Sequence, residues 1–119
     1  MADYDGTWPS ARLHIYATNL SPVDKHRLGY VFTCLRRYGC PAPTRMLHPM
    51  EQPNEGIGFV WDQFGRRMYL GQRRGQPSVL RMYTPGTPMG VQRYSGLPPH
   101  DTIDLLMQAL NHPDLLTTV

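Results

Sequence analysis

This chain of 119 residues has little cysteine and no long apolar run, and its first residues do not look like a secretory signal. Each of these observations argues against one class of protein. Its two cysteines, Cys34 and Cys40, lack the C-x-x-C spacing, which argues against a disulfide scaffold or a zinc finger. No apolar stretch approaches the roughly 18 to 20 residues of a membrane helix, and the start "MADYDGTWPS" does not resemble a signal peptide. We therefore expect a cytoplasmic protein that does not enter a membrane.

Acidic residues are absent from the segment between Gln63 and His100. Six arginines fall in the same segment: Arg66, Arg67, Arg73, Arg74, Arg81 and Arg93. Such uncompensated positive charge favours an anionic partner, either nucleic acid or an acidic protein surface. The planar fork of arginine also suits phosphate recognition and stacking better than the ammonium group of lysine.

Motifs for catalysis or cofactor binding are missing as well. The five histidines form no H-x-x-x-H pair, and none stands at metal-ligand spacing from a cysteine. Cys40 and His48 could pair as nucleophile and base, but no third residue that would orient them is identifiable. The "GIG" at 56–58 lacks the third glycine of a dinucleotide loop. We therefore predict a protein that is not an enzyme and uses neither a metal nor another cofactor.

The length predicts a single domain, with flexible ends at 1–10 and 113–119. Residues 12–18 alternate between apolar and polar, which favours a half-buried strand with Leu13, Ile15 and Ala17 on one side.

Two helices are predicted from capping residues and apolar spacing. The first follows Ser21 as N-cap and Pro22 at the first helical position, and it stops at Gly39. The second begins near "PPHD" with Asp101 as a cap, and Asn111 with Pro113 ends it.

The middle of the chain predicts strands. A short strand at 45–48 lies between prolines, so it can occupy only an edge of the sheet. A hairpin is expected from the strands "GIGFVW" and "RRMYLG", which the turn "DQFG" connects. A further strand is "SVLRMY". It is followed by the loop "TPGTPMG" and then by "VQRYSGLPP", which leads out of that loop. The resulting fold is α+β, an antiparallel sheet of about four strands with two helices on one face, in the order β-α-(β)-β-β-β-α.

Two short motifs resemble those of the RNA recognition motif. "IYATNL" at 15–20 resembles the RNP2 hexamer, and "EGIGFVWD" at 55–62 resembles RNP1 in Gly56, Gly58, Phe59 and Val60. The resemblance covers about the first half of the chain, and Glu55, Ile57 and Asp62 depart from the RNP1 pattern. It implies that Tyr16 and Phe59 stack nucleobases on the open face of the sheet.

The alternation of side-chain directions along the central strands predicts a similar surface independently of the resemblance to the RNA recognition motif. Arg67 with Tyr69, and Arg81 with Tyr83, point away from the aliphatic side of their strands, so an open face would mix arginine and tyrosine. Phe59 and Trp61 fit either this face or the core.

The sequence thus favours a small binding protein for single-stranded nucleic acid, RNA before DNA. The predicted binding residues are Tyr16, Phe59, Arg66, Arg67, Tyr69, Arg73, Arg74 and Arg81. The alternative is a protein-binding accessory factor or inhibitor of the kind that phages use against host proteins, acting on an acidic partner through the same surface.

Overall fold

The computed structural model describes residues 3–63, 66–83 and 91–111, which form three helices and five strands. In chain order these are α1 (Trp8–Tyr16), α2 (Pro22–Arg37), β1 (Arg45–Leu47), β2 (Gly56–Gln63), β3 (Arg66–Arg73), β4 (Val79–Tyr83), β5 (Val91–Ser95) and α3 (Pro99–Asn111). The strands lie side by side in sequence order, and each neighbouring pair is antiparallel. The predicted α+β class is confirmed, with one more strand and one more helix than expected.

Helix α1 replaces the strand that was predicted at 12–18, and that prediction is wrong. Thr7 caps the helix, because its side chain accepts a hydrogen bond from the Ser10 amide, and a proline follows at the start. Trp8, Ala11 and Ile15 recur at helical spacing and are buried. Leu13, expected inside, is 69% exposed because it lies on the opposite side of the helix.

The segment 1–10 was expected to be flexible; residues 1–2 lie outside the described residues, and residues 3–10 contact the rest of the fold. Trp8 is buried, and its indole Nε1 donates to the carbonyl oxygen of Cys40 at 3.2 Å. Tyr4 donates its hydroxyl to the carbonyl oxygen of Pro43 at 2.6 Å. Partial burial, together with the nearby charge of Asp5, raises the pKa of Tyr4 to about 12. The segment before α1 is therefore attached to the loop that follows α2.

Helix α2 matches its prediction closely. The Ser21 side chain accepts from the Asp24 amide at 3.1 Å, and Pro22 is the first helical residue. Gly39 has φ of +79°, the left-handed conformation that ends many helices. Helix α3 begins at Pro99, so Asp101 lies in its first turn and is not the predicted cap.

The strand predictions are confirmed for β2, β3 and β4, and β1 occupies an edge of the sheet as its prolines require. Strand β5 was not predicted. The turn predicted at 62–65 is too long, because Asp62 and Gln63 belong to strand β2. Its residues 64–65, the predicted loop at 84–90 and the C-terminal end at 113–119 lie outside the described residues.

The core lies between the three helices and one face of the sheet, called here the covered face. Strand residues on that face include Phe59, Trp61, Met68, Leu70 and Leu80, each at most 2% exposed. Phe32 of α2 packs edge-on against Phe59 and Trp61, at ring-centre distances of 4.7 and 6.2 Å. None of the three helices in this part of the chain has both the length and the apolar character needed to cross a bilayer. The other face of the strands carries no helix of the described residues, and it is called the open face.

Candidate nucleic-acid interface

The open face has two neighbouring rows of residues that cross strands β3, β4 and β5. In the first row Tyr69 lies opposite Arg81, and Arg81 lies opposite Arg93. The second row consists of small residues and contains Gly71, opposite Val79. Directly opposite residues in such a sheet are separated by about 5 Å, so the three large side chains of the first row are close neighbours.

The ring of Tyr69 lies over two glycines. Gly58 and Gly71 are paired across β2 and β3, and each leaves open the space that the tyrosine ring occupies. A Cβ atom on Gly58 would lie 2.5 Å from Cε2 of Tyr69, and one on Gly71 would meet the phenol oxygen even more closely. The sheet therefore holds the ring against its surface, and any larger residue at either position would push the ring away.

Arg81 lies over this ring. Its Cζ atom is 5.5 Å from the centre of the Tyr69 ring, within the range of a cation–π contact. A groove of about 490 Å³ begins there and extends over β4 and β5 to the β3–β4 connection. Arg73, Arg81 and Arg93 all line this groove. The open face thus combines an aromatic plane with three guanidinium groups.

Acidic side chains neutralise part of the arginine set. Asp62 binds Arg67 at 2.7 Å and Arg45 at 3.3 Å between Nε and carboxylate oxygen. The hydrogen bond from Arg67 lowers the pKa of Asp62, and the charges of Arg67 and Arg45 act in the same direction. Arg74 pairs with Glu55 at 3.6 Å.

The arginines of the groove differ from Arg45, Arg67 and Arg74 in lacking an acidic partner among the described residues. Within residues 3–63, 66–83 and 91–111, no acidic side chain forms an ion pair with Arg73, Arg81 or Arg93. Their charge therefore remains uncompensated by close partners in this part of the chain, which favours an anionic ligand in the groove.

Five of the eight predicted binding residues lie on the β3–β4 side: Tyr69 is half-buried, and the exposed ones are Arg67, Arg73, Arg74 and Arg81. Arg74 lies in the β3–β4 connection, where it pairs with Glu55 and lines a smaller hollow.

Three predicted binding residues are placed elsewhere. Phe59 is 0% exposed and belongs to the core, which was the alternative left open for it. Arg66 is 4% exposed, because it shares the strand parity of Met68 and therefore points to the covered face. Tyr16 is 52% exposed but lies on α1, in the helical layer. Neither residue that the RNA recognition motif assigns to stacking lies on the open face.

Sequence reasoning missed Arg93 and the two glycines beneath Tyr69. Arg93 belongs to β5, whose residues are mostly exposed on both sides, so the strand lacks the apolar alternation that marks a half-buried strand. The glycines were noted only as parts of a motif. A signal did exist, since isolated glycines inside strands often mark a close approach of another group.

A second cavity lies between α1 and the loop before β2. It measures about 300 Å³ and is lined in part by Tyr4, His14 and His48. Burial lowers the pKa of His14, and the nearby His48 adds to this shift. In the described part of the chain, no group of three or more His, Cys, Asp or Glu side chains is placed to hold a metal ion.

Comparison of the chain with protein-family models, with curated proteins and with solved structures gave no match. The resemblance to the RNA recognition motif therefore stays a prediction. Fold and surface together define an α+β domain with a basic, aromatic sheet face.

Proposed function

We propose that this protein binds single-stranded nucleic acid through the open face of β3, β4 and β5. The observation that carries the proposal is the Tyr69 ring, which lies over Gly58 and Gly71 and under the guanidinium of Arg81, with Arg93 on the next strand. A base stacked on an aromatic side chain contributes about 1 to 3 kcal/mol, and nearby arginines add contacts to phosphate. This combination is typical of surfaces that bind unpaired strands.

An unpaired strand fits this surface better than a duplex. Stacking on Tyr69 requires an exposed base face, which a duplex hides between neighbouring base pairs. RNA is the first choice because the sequence motifs resemble an RNA-binding family. The argument from Tyr69 and the arginines holds for DNA as well, since both polymers supply bases and phosphates.

Fluorescence anisotropy with labelled single-stranded RNA of roughly 12 nucleotides tests the proposal. At about 50 mM salt we expect binding in the micromolar range or tighter, weakening steeply as salt is raised because counterions are released from the strand. Tyr69→Ala should weaken binding by about tenfold, the loss of one stacked base. Tyr16→Ala is the matched control, because it removes an exposed tyrosine from the helical layer, and it should leave the affinity unchanged.

Absence of binding at low salt would reject the proposal, and so would equal losses for the two tyrosine variants. A double variant Arg81→Ala/Arg93→Ala should flatten the dependence of log K on log salt by about 0.7 for each phosphate that the protein no longer neutralises. Its control is Arg36→Ala/Arg37→Ala at the end of α2, which removes the same charge from the other side of the molecule. Arg66→Ala is unsuitable for this test, since Arg66 is buried and its loss would disturb the fold.

A second candidate function is binding of an acidic protein surface, as an accessory factor or inhibitor. It is favoured by apolar side chains exposed near the edge strand β1, where Leu47 is 46% and Met50 is 97% exposed. Protein interfaces commonly combine arginine and aromatic residues with such apolar groups. A pull-down after nuclease treatment should then recover a stoichiometric protein that Leu47→Ser/Met50→Ser no longer retains. An unchanged eluate would count against this function.

A further inference from the structure

The groove on the open face spans only part of the sheet. Five strands at about 4.8 Å spacing extend over about 19 Å, but the groove crosses only the three strands from Tyr69 to Arg93, about 10 Å. Its volume of about 490 Å³ lies in the range of small-molecule sites, about 300 to 1,000 Å³. These dimensions suit one small ligand better than a long stretch of strand.

The floor and walls of the groove have different chemistry. Gly71 and Val79 form the floor with Ser95, in one row of paired residues. Tyr69 with Arg81 and Arg93 forms the first wall. The opposite wall contains Arg73 and the β3–β4 connection. A flat group therefore has an aromatic plane on β3, under Arg81, and an anionic group has the guanidinium groups of Arg81 and Arg93 along the same wall toward β5.

Beyond Tyr69, toward β1, the surface changes character. A hollow of about 170 Å³ there shares Tyr69 and Arg73 with the groove, but its other walls include Leu47 and Pro49. A second phosphate would find fewer guanidinium groups in this hollow than in the groove. In the direction of β1, strong contacts to a strand should therefore end at Tyr69.

We propose that the groove is a site for a single nucleotide unit, with the base stacked on Tyr69 in the place where the Arg81 guanidinium now lies, and with its phosphate held between Arg81 and Arg93. This inference rests on the proposed function and adds a prediction about the size of the ligand. A free nucleoside monophosphate and one nucleotide within a strand share this chemistry, and both should occupy the groove.

Competition experiments test this site. Adenosine 5′-monophosphate, adenosine and inorganic phosphate are each added to the complex of the protein with labelled RNA of roughly 12 nucleotides. We expect the monophosphate to displace the RNA at concentrations about tenfold lower than either fragment, because only the monophosphate engages both ends of the groove. Arg93→Ala should bring the monophosphate to the level of adenosine, and Tyr69→Ala should bring it to the level of phosphate. Arg36→Ala/Arg37→Ala should change neither.

A length series supplies the second test. From one to roughly 12 nucleotides, we expect most of the affinity to be reached by the second or third nucleotide, after correction for the number of equivalent binding positions. If RNA binds but the monophosphate does not compete, or if affinity rises by more than about tenfold beyond three nucleotides, the single-unit site is wrong while strand binding stands. If no oligonucleotide binds, the proposed function fails and the site fails with it.

Discussion

Strands β3 and β4 have two faces that differ in how their side chains meet the rest of the molecule. On the covered face, Met68 and Leu80 are at most 2% exposed and pack among the helices. On the open face, Arg67 and Arg81 alternate with them along the same strands and remain exposed. We therefore expect stability and the proposed binding to be separable, because substitutions on one face need not disturb the other.

The largest effect is expected for Trp61→Ala on the covered face. Trp61 is 0% exposed, contacts Phe32, and donates its Nε1 to the carbonyl oxygen of Pro41 at 3.0 Å. Its loss should lower the free energy of unfolding by about 3 to 5 kcal/mol, measured by urea denaturation. Tyr69→Ala on the open face should cost much less. Equal losses of stability for the two variants would mean that the faces are not separable.

Gly71→Ala should affect binding more than stability. The added methyl group would occupy the position of the Tyr69 phenol, so the ring must leave the surface of the sheet. We expect about tenfold weaker binding of single-stranded RNA, with a change in unfolding free energy of about 1 kcal/mol or less. Anisotropy and urea denaturation measure the two quantities.

The control for this prediction is Gly71→Ala in a Tyr69→Ala background. There the methyl group has no ring to displace, so it should cause no further loss of affinity. If Gly71→Ala weakens binding equally in both backgrounds, the ring of Tyr69 is not the reason that glycine is needed.

Acidification should lower the stability of the fold through His14, a buried residue of α1. Burial lowers the pKa of His14, so the folded protein disfavours the protonated form more than the unfolded chain does. Unfolding then takes up a proton as the pH falls below about 6.5, and the stability contributed by neutral His14 is lost from there toward its lower folded-state pKa. The midpoint of urea denaturation, measured from about pH 7.5 to about pH 5, should therefore fall less in His14→Gln than in the unmodified protein. A decline of the same size in both would remove His14 from the explanation.

The smallest effect is expected for Asp62→Asn at the rim of the open face. Asp62 pairs with Arg45 and Arg67, and all three side chains are partly exposed to water, at 34% for Asp62, 48% for Arg45 and 61% for Arg67. Exposed pairs of this kind contribute little to stability, so unfolding should hardly change. Removing the carboxylate leaves two guanidinium groups free to meet phosphate, and affinity at low salt should rise by roughly two- to fivefold. Weaker binding would show that Asp62 is needed to position these arginines.

The sequence predicts the sheet face well because strand parity is a strict geometric rule. Once β3 and β4 are recognised, the opposite directions of Met68 and Tyr69 follow, and the structure confirms them. The same rule would have assigned Arg66 to the covered face, since it has the parity of Met68, but its charge suggested a surface position. The net charge of a segment indicates which partners it attracts, but it does not indicate where an individual side chain points.

Residues 8–16 show where short patterns fail. Residues 12–18 alternate in polarity, but Ile15 among them stands at helical spacing from Ala11 just before them. The decisive signals lie earlier, in the capping Thr7 and the proline that follows Trp8. Strand β5 was missed for a different reason. Its five residues gain their regular structure from hydrogen bonds to β4, and their polarity carries no periodic signal.

The most direct test of the account is an NMR titration of the isotope-labelled protein with a short single-stranded RNA. We predict that the largest amide shift changes map to Tyr69, Gly71, Arg81 and Arg93 on β3, β4 and β5, and that they are small throughout α1 and α2. Shift changes centred on the helices, or none at a ligand concentration that saturates the anisotropy signal, would contradict binding at the open face.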